Sequence, residues 1–312
     1  MSVIRKLAGQ TAIYGIPSIL GRTLNFLLAY LHLDVFPPES YGVTVELYAY
    51  LSFVMLFLLY GMETAFFRFA QTEPQTKVFN TLQTGLYGST IIFLVGSLWS
   101  HKDLASGLGY ASQANYFVWL ILIIAFDVLA AVPLARLRFL QKPFTFVFIN
   151  VTGIFTNIGI NVFVLVYWFP QYFSGNTDFF LSSWFNPEIG VGYIFIANLI
   201  ASGVKYGLTL FWGLPNPINF SWNLWKKALN YAWPLIFTGF AGLINEVADR
   251  ILLGRILTPK LGVEAARYQI GVYGGCYKLA IIINICVQAF RYAAEPFFFQ
   301  QLKDRSDRNM VL

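Results

Sequence analysis

The stretch LSFVMLFLLYGMETAFFRFA, residues 51–70, decides the fold, because its first half is uncharged while Glu63 and Arg68 follow within the next ten residues. With the residues before it, the apolar run extends over about 42–70. A helix of roughly 20 residues crosses the ~30 Å hydrocarbon core of a bilayer. We therefore predict a membrane-spanning helix here, with two ionisable side chains near its end.

The composition extends this prediction to the whole chain. Its 312 residues are 57% hydrophobic and only 12% charged, and the mean hydropathy is +0.60. A soluble domain carries roughly 25% charged residues, so this chain has too much apolar surface for one soluble core. No sustained alternation of polar and apolar residues indicates a membrane β-barrel. The predicted class is an all-α integral membrane protein.

We predict about eight transmembrane helices. Their ranges are about 7–33, 42–70, 79–99, 115–138, 145–169, 190–213, 228–254 and 270–300. The segment LPNPINFSWNLWKK, residues 214–227, interrupts this pattern, since its prolines stop the sixth span and its tryptophans and lysines are typical of an interfacial element. The prediction is an N-terminal six-helix lobe at 1–213, a cytoplasmic interfacial linker at 214–227 and a partial C-terminal lobe of two helices at 228–312.

The distribution of lysine and arginine predicts the orientation. One set of loops carries most of these residues: Arg5, Lys6, Arg68, Lys77, Arg136, Arg138, Lys142, Lys226, Lys227, Lys303, Arg305 and Arg308. Loops that are rich in basic residues stay in the cytoplasm. Both termini are therefore expected there, and the formal net charge of +6 is explained without a nucleic-acid partner.

A repeat relates the two sides of the linker. Tyr41-Gly42 precedes Glu63 by 22 residues, and Tyr273-Gly274 precedes Glu295 by the same 22. Aromatic residues follow each glutamate, in ETAFFRF and EPFFFQQ. Six predicted spans separate the copies, so they enter the membrane in the same direction, as in a parallel repeat about an axis along the membrane normal. The alternative is coincidence in a chain rich in aromatic residues.

Ionisable and amide side chains inside predicted spans are candidates for substrate binding, because they are costly in a bilayer and face a cavity or a partner. These candidates are Arg22, Asn25, Lys205, Lys278 and Arg291. Helical spacing places Arg22 and Asn25 on one face of the first span. An excess of positive charge in a cavity suits a phosphate or pyrophosphate. The structural alternative pairs Arg22 with an acid such as Glu46, and Arg291 with Glu295.

Acidic residues inside the spans are predicted to serve gating, coupling or structure. They are Glu46, Glu63, Asp127 and Glu295. We expect Glu63 and Glu295 to bond a neighbouring helix near the cytoplasmic gate, since a carboxylate repels pyrophosphate. We also predict that Glu246 and Asp249 form local ion pairs with Arg250, and that the asparagines of the fifth span, residues 150, 157 and 161, either line a cavity or join helices.

No pattern of catalytic or metal-ligand residues is present in the sequence. His32, His101, Cys276 and Cys286 are not spaced as ligands of a metal. The sequence has no nucleophile elbow, phosphate-binding loop or metal-binding motif. We predict a protein that is not an enzyme and that needs no cofactor.

The stretches KLAGQTAIYGIPSILGRTLNFLLAYL, PESYGVTVELYAYLSFVMLFLLYGMETAFFRFA and QAFRYAAEPFFF resemble the Wzx-type polysaccharide flippases, which move O-antigen and similar oligosaccharide-lipids. These belong to the multidrug/oligosaccharidyl-lipid/polysaccharide exporter superfamily. The resemblance implies a two-lobe transporter of the bacterial inner membrane. It would flip an undecaprenyl-pyrophosphate-linked oligosaccharide through a cationic cavity by alternating access. Arg22 best matches a pyrophosphate-binding position of the family, and Arg291 matches less closely.

The resemblance also implies partners and a difference in length. The expected partners are lipid-linked oligosaccharide, membrane lipids and other polysaccharide assembly proteins. Members of the superfamily have twelve to fourteen spans, so we expect this sequence to be a fragment or a truncated product. Two alternatives remain: a multidrug/toxin cation antiporter of the same superfamily, with Asp127 or Glu46 as coupling site, and a non-transporting scaffold.

Overall fold

The computed structural model describes residues 20–21, 23–176, 180, 182–279 and 283. Within these ranges the chain is helical and contains no strand. The helices are α1 (Thr23–Val35), α2 (Pro38–Leu59), α3 (Met62–Phe69), α4 (Gln75–Trp99), α5 (His101–Gly107), α6 (Ala114–Phe139), α7 (Pro143–Val162), α8 (Phe169–Phe173), α9 (Gly192–Leu210), α10 (Trp222–Leu261) and α11 (263–279). A π-helical segment, Phe163–Trp168, joins α7 to α8.

Five segments of the described chain are long and apolar enough to cross a membrane, and they correspond to the second to sixth predicted spans. They are Pro38–Phe69, Gln75–Trp99, Ala111–Phe139, Pro143–Phe173 and Gly192–Leu210. This confirms the all-α membrane class. The predicted seventh span lies within α10, which is not among these five segments. The predicted first and eighth spans lie partly outside the described residues. The division into lobes stays a prediction.

Two helices differ from their predicted form. The second span is interrupted where Tyr60 and Gly61 both adopt left-handed backbone conformations, with φ of 33° and 74°, so α2 ends at Leu59 and α3 begins at Met62. The last residues of the predicted interfacial linker, from Trp222 onward, form the start of α10, which continues for 40 residues through Pro234. A proline is tolerated inside a membrane helix because neighbouring groups can satisfy the freed backbone carbonyl.

Helix α6 forms the spine of the bundle. Its first half packs with Phe36, Trp168 and Phe195 in one apolar cluster. Its second half packs with Phe66, Phe79 and other residues of α3, α4 and α10 in a second cluster. The two clusters hold opposite ends of the bundle, and polar cavities occupy the space between the helices nearer its middle.

The loops fall into two groups at opposite ends of the bundle, as the predicted topology requires. At one end, called here the Tyr110 end, the Arg267 guanidinium donates to the carbonyl oxygen of Gly109 at 2.9 Å. At the other, called the Arg138 end, the Asn216 backbone N–H donates to the side chain of Asn80 at 3.0 Å. The basic residues of the described predicted cytoplasmic loops lie at the Arg138 end.

Helices α2 and α11 touch backbone to backbone. A side chain at Gly42 would collide with the carbonyl of Arg267, and one at Gly271 with the carbonyl of Pro38. Small residues permit this approach. The contact pairs Gly42 with Gly271 and Val45 with Gly274 both differ by 229 in residue number, within one helical turn of the 232 that separates the predicted repeats. The two helices therefore run parallel at this contact, and the repeat stays a prediction.

Candidate functional site

A polar cavity of about 400 Å³ lies where α1, α2, α7 and α9 meet α10 and α11. Its volume falls in the range of small-molecule sites, roughly 300–1,000 Å³. The polar and charged residues that line it are Asn25, His32, Tyr41, Thr44, Tyr48, Ser52, Asn157, Asn161, Asn198, Glu246, Arg250, Tyr277 and Lys278. We call it the main cavity.

The helices α10 and α11 supply the charged side of the main cavity. Arg250 and Lys278 both line it, with Glu246 as the one carboxylate among its described lining residues. The Arg250 guanidinium lies 4.2 Å from the centre of the Tyr277 ring and donates to the backbone carbonyl of Glu246 at 2.8 Å. We call Arg250 and Lys278 the cationic wall.

This arrangement corrects the prediction of local ion pairs around Arg250. The Asp249 carboxylate bonds the Tyr273 hydroxyl and the backbone N–H of Arg250 at 2.9 Å. The Glu246 backbone oxygen, rather than its carboxylate, accepts from Arg250. The prediction failed because spacing along one helix does not reveal that Tyr273 and Tyr277 of the next helix compete for these groups.

Amide side chains form an uncharged part of the lining of the main cavity. Asn161 is buried and fully engaged, because its Nδ2 donates to the backbone and side-chain oxygens of Asn157, both at 2.9 Å, and its Oδ1 bonds the Nε2 of His32 at 2.9 Å. Asn198 donates from Nδ2 to the Tyr48 hydroxyl at 3.0 Å. We call Asn25, Asn157 and Asn198 the amide wall.

A side cavity of about 190 Å³ adjoins the main cavity and shares the whole amide wall with it. Asp127 of α6 and Lys205 of α9 also line it, and they form an ion pair across the two helices. The sequence analysis predicted both residues separately, Lys205 as part of an excess positive charge. The structure corrects that assignment, since Asp127 neutralises Lys205.

A compact polar cluster joins α2, the connection between α5 and α6, and α11 at the Tyr110 end. The buried Tyr110 hydroxyl donates to Glu46 Oε2 at 2.6 Å, and Tyr50 donates to Glu46 Oε1 at 3.3 Å. The Arg267 guanidinium lies 4.4 Å from the centre of the Tyr110 ring. Burial raises the pKa of the Tyr110 phenol, and the Glu46 carboxylate raises it further. The phenol therefore stays a donor.

Glu63 and Arg138 form an ion pair between α3 and α6 at the Arg138 end. The Arg138 guanidinium also lies 5.0 Å from the centre of the Phe67 ring. Glu63 thus bonds a side chain of a neighbouring helix directly after the left-handed break at Tyr60 and Gly61. This contact is of the structural kind expected for Glu63, and a gating role stays a prediction.

The structure brings some predicted site residues together and leaves others untested. Asn25 and Lys278 line the main cavity, whereas Lys205 and Asp127 line the side cavity. Arg22, Arg291 and Glu295 lie outside the described residues.

Sequence reasoning missed Asn198, His32 and Arg250 as cavity residues. Asn198 is a single amide within the apolar run GYIFIANLI, a signal that could have identified it.

Comparison of the chain with protein-family models, with curated proteins and with solved structures finds no match. The fold and the cavity therefore define only a broad class. The chain is an all-α membrane protein with a polar cavity among its helices.

Proposed function

We propose that this protein is a polysaccharide export transporter that flips an undecaprenyl-pyrophosphate-linked oligosaccharide across the bacterial inner membrane. Its termini would lie in the cytoplasm, and its lipid-linked substrate would move from the cytoplasmic to the outer leaflet by alternating access. The observation that carries the proposal is the main cavity, in which Arg250 and Lys278 oppose a single carboxylate among the described lining residues.

The chemistry of the cationic wall suits a pyrophosphate. Arginine donates two parallel hydrogen bonds to a phosphate, and a lysine ammonium adds a compact positive charge. Both groups are rare within membranes unless they serve a substrate or a partner. Asn25 lines the same cavity, and the sequence predicts that Arg22, one turn earlier, shares its helical face.

The closed arrangement at the Tyr110 end is compatible with one state of an alternating-access cycle. There the α2–α11 glycine contact and the hydrogen bond from Arg267 to the Gly109 carbonyl join the first lobe to the following helices. Alternation requires that such a contact can open while the opposite end closes. The broken second span supplies the kind of discontinuous helix that transporters use.

The cation-antiporter alternative has less support. It would use Asp127 or Glu46 as a coupling carboxylate, but Asp127 is paired with Lys205 and Glu46 with two tyrosine hydroxyls. A cavity with more cations than carboxylates attracts anions rather than cationic drugs.

The test removes the cationic wall while leaving the helices intact. Arg250→Gln and Lys278→Gln are each compared with Lys226→Gln, an exposed lysine at the start of α10. In purified full-length protein, each cavity variant should bind a short-chain polyprenyl pyrophosphate about ten-fold or more weakly, since one charged hydrogen bond contributes about 1.5–3 kcal/mol. Lys226→Gln should bind like the wild type.

Two further readouts distinguish the alternatives. In cells, the cavity variants and Arg22→Ala should lower surface glycan while the protein still inserts into the membrane. Unchanged surface glycan in Arg250→Gln/Lys278→Gln would contradict the proposal. Export of a cationic dye that depends on Asp127 would instead identify an antiporter.

A further inference from the structure

The two sides of the main cavity differ in chemistry. The cationic wall provides only charged donors, whereas the amide wall is uncharged and is shared with the side cavity. A pyrophosphate accepts hydrogen bonds and is stabilised by positive charge, so amide oxygens, which also accept, do not bind it. The amide wall therefore requires a separate explanation.

The hydrogen bonds of the amide wall are only partly used by the described residues. Asn157 accepts at Oδ1 from Asn161, and its Nδ2 donor has no partner within the described ranges. Asn198 donates from Nδ2 to Tyr48, and its Oδ1 acceptor has none there either. The wall thus offers both a donor and an acceptor to whatever occupies the cavity.

A structural role does account for the other asparagines of α7. Asn161 is satisfied by His32 and Asn157, and Asn150 donates to the carbonyl of Phe146 in its own helix at 2.8 Å. The three asparagines of α7, which share a face in the sequence pattern, therefore have different roles. Asn161 supports Asn157, whose remaining donor is left for the cavity.

A metal cation is a poor fit to this wall. Hard cations select several oxygen ligands and repel positive charge, but Asn157 presents a donor and the Lys205 ammonium lies in the same side cavity. A hydroxyl group fits better, because it donates and accepts at once and carries no charge.

We propose that the amide wall binds the hydroxyl groups of a sugar ring, while the cationic wall holds the phosphate to which that sugar is attached. This inference rests on the proposed function and adds to it a separate subsite that reads the glycan. Asn157 and Asn198 would be specificity-determining residues. Sites that bond a substrate hydroxyl discriminate strongly against analogues that lack it.

The experiment uses two probes with purified full-length protein in detergent. One is farnesyl pyrophosphate, and the other is the same lipid pyrophosphate carrying a single N-acetylglucosamine. We expect the wild type to bind the sugar-bearing lipid at least ten-fold more tightly. Asn157→Ala and Asn198→Ala should each weaken binding of the sugar-bearing lipid about ten-fold and leave the bare lipid unchanged, as loss of about one hydrogen bond implies.

Control variants separate recognition from folding. Asn115→Ala changes an exposed asparagine at the start of α6 and should alter neither affinity. Asn157→Ser keeps a small donor and should retain part of the preference. The wild-type ratio of the two affinities needs no variant, so it tests the proposal even if a substitution disturbs the fold.

The outcomes differ for the two proposals. Equal affinity of the wild type for both lipids, or equal losses for both lipids in the asparagine variants, would overturn the sugar subsite alone. Failure of the wild type to bind either lipid would overturn the proposed function and this inference together.

Discussion

Asp127 of α6 and Lys205 of α9 are 78 residues apart in the sequence, and their side chains pair between the two helices. Their side chains are 16% and 24% exposed, so the pair is largely removed from solvent. Each charge makes the other tolerable inside the bundle, and neither would be stable there alone.

Lys205→Met should therefore destabilise the protein by about 3–5 kcal/mol, because it leaves the Asp127 carboxylate unpaired. Adding Asp127→Leu should recover most of that loss. Unfolding in detergent measures both changes. Lys77→Met is the matched control, since the Lys77–Glu73 pair is far more exposed and should contribute less than about 1 kcal/mol. Equal losses for the two lysine substitutions would contradict the assignment.

The break in the second span makes a prediction for Gly61. Its φ of 74° is left-handed, and an added Cβ would lie 3.1 Å from the Ala232 carbonyl oxygen of α10. Gly61→Ala should destabilise the protein by at least about 1–2 kcal/mol, the cost of that conformation for an L-residue. Gly88→Ala in α4 meets open space and should stabilise by up to about 1 kcal/mol. If Gly61→Ala and Gly88→Ala shifted the melting temperature in the same direction, the left-handed conformation at Gly61 would be contradicted.

The parallel contact between α2 and α11 can be tested by cross-linking. A Cβ at Gly274 would lie 3.3 Å from the Cβ of Val45, close to the ~3.5–4.5 Å of a disulfide. Val45→Cys with Gly274→Cys, in a chain with serine at positions 276 and 286, should oxidise readily. Cleavage between residues 211 and 221 then leaves the two halves joined on a gel. Val45→Cys with Gly242→Cys, whose site contacts nothing, should not cross-link.

Removing the Tyr110 hydroxyl tests the cluster at the Tyr110 end. Tyr110→Phe should destabilise by about 1.5–3 kcal/mol, since it removes a hydrogen bond to a carboxylate. Tyr50→Phe should cost less, because its bond to Glu46 is longer and less buried. The raised pKa of Tyr110 determines how the stability difference between the wild type and Tyr110→Phe depends on pH. That difference should be constant below about pH 10, the ordinary tyrosine pKa, and diminish as pH rises further. A difference that falls between pH 6 and 8 would argue against the bond.

Much of the fold was predictable, because a helix that crosses a bilayer must be apolar over its own length. Each of the five apolar segments is identified by its own composition, and so is the set of basic residues at the Arg138 end. The Tyr60–Gly61 break could also have been predicted, since a glycine inside a helical pattern disfavours its continuation. The start of α10 at Trp222 was not predictable, because the tryptophans and lysines of residues 222–227 are typical of an interfacial element, whereas here they form the first turns of the helix.

The cavity was less predictable, because it depends on pairings between distant residues. Asn25 and Lys278 were identified from the cost of polar groups in a membrane, and both line the main cavity. The same reasoning could not show that Lys205 pairs with Asp127, or that the Arg250 guanidinium packs against the Tyr277 ring rather than pairing with the Glu246 or Asp249 carboxylate. Which charges remain unpaired is decided by tertiary packing alone.

Helix α10 runs unbroken from Trp225, which is wedged against Gly85 of α4, to Arg250 in the main cavity. At 1.5 Å per residue, about 37 Å separates the two, so a tilt of about 10° at Trp225 would carry Arg250 through about 6 Å. A helix of this length would amplify a small rotation at Trp225 into a larger displacement of Arg250. Under the proposed function, a small rearrangement beside the linker would therefore move Arg250 far enough to exchange its contacts with a bound phosphate.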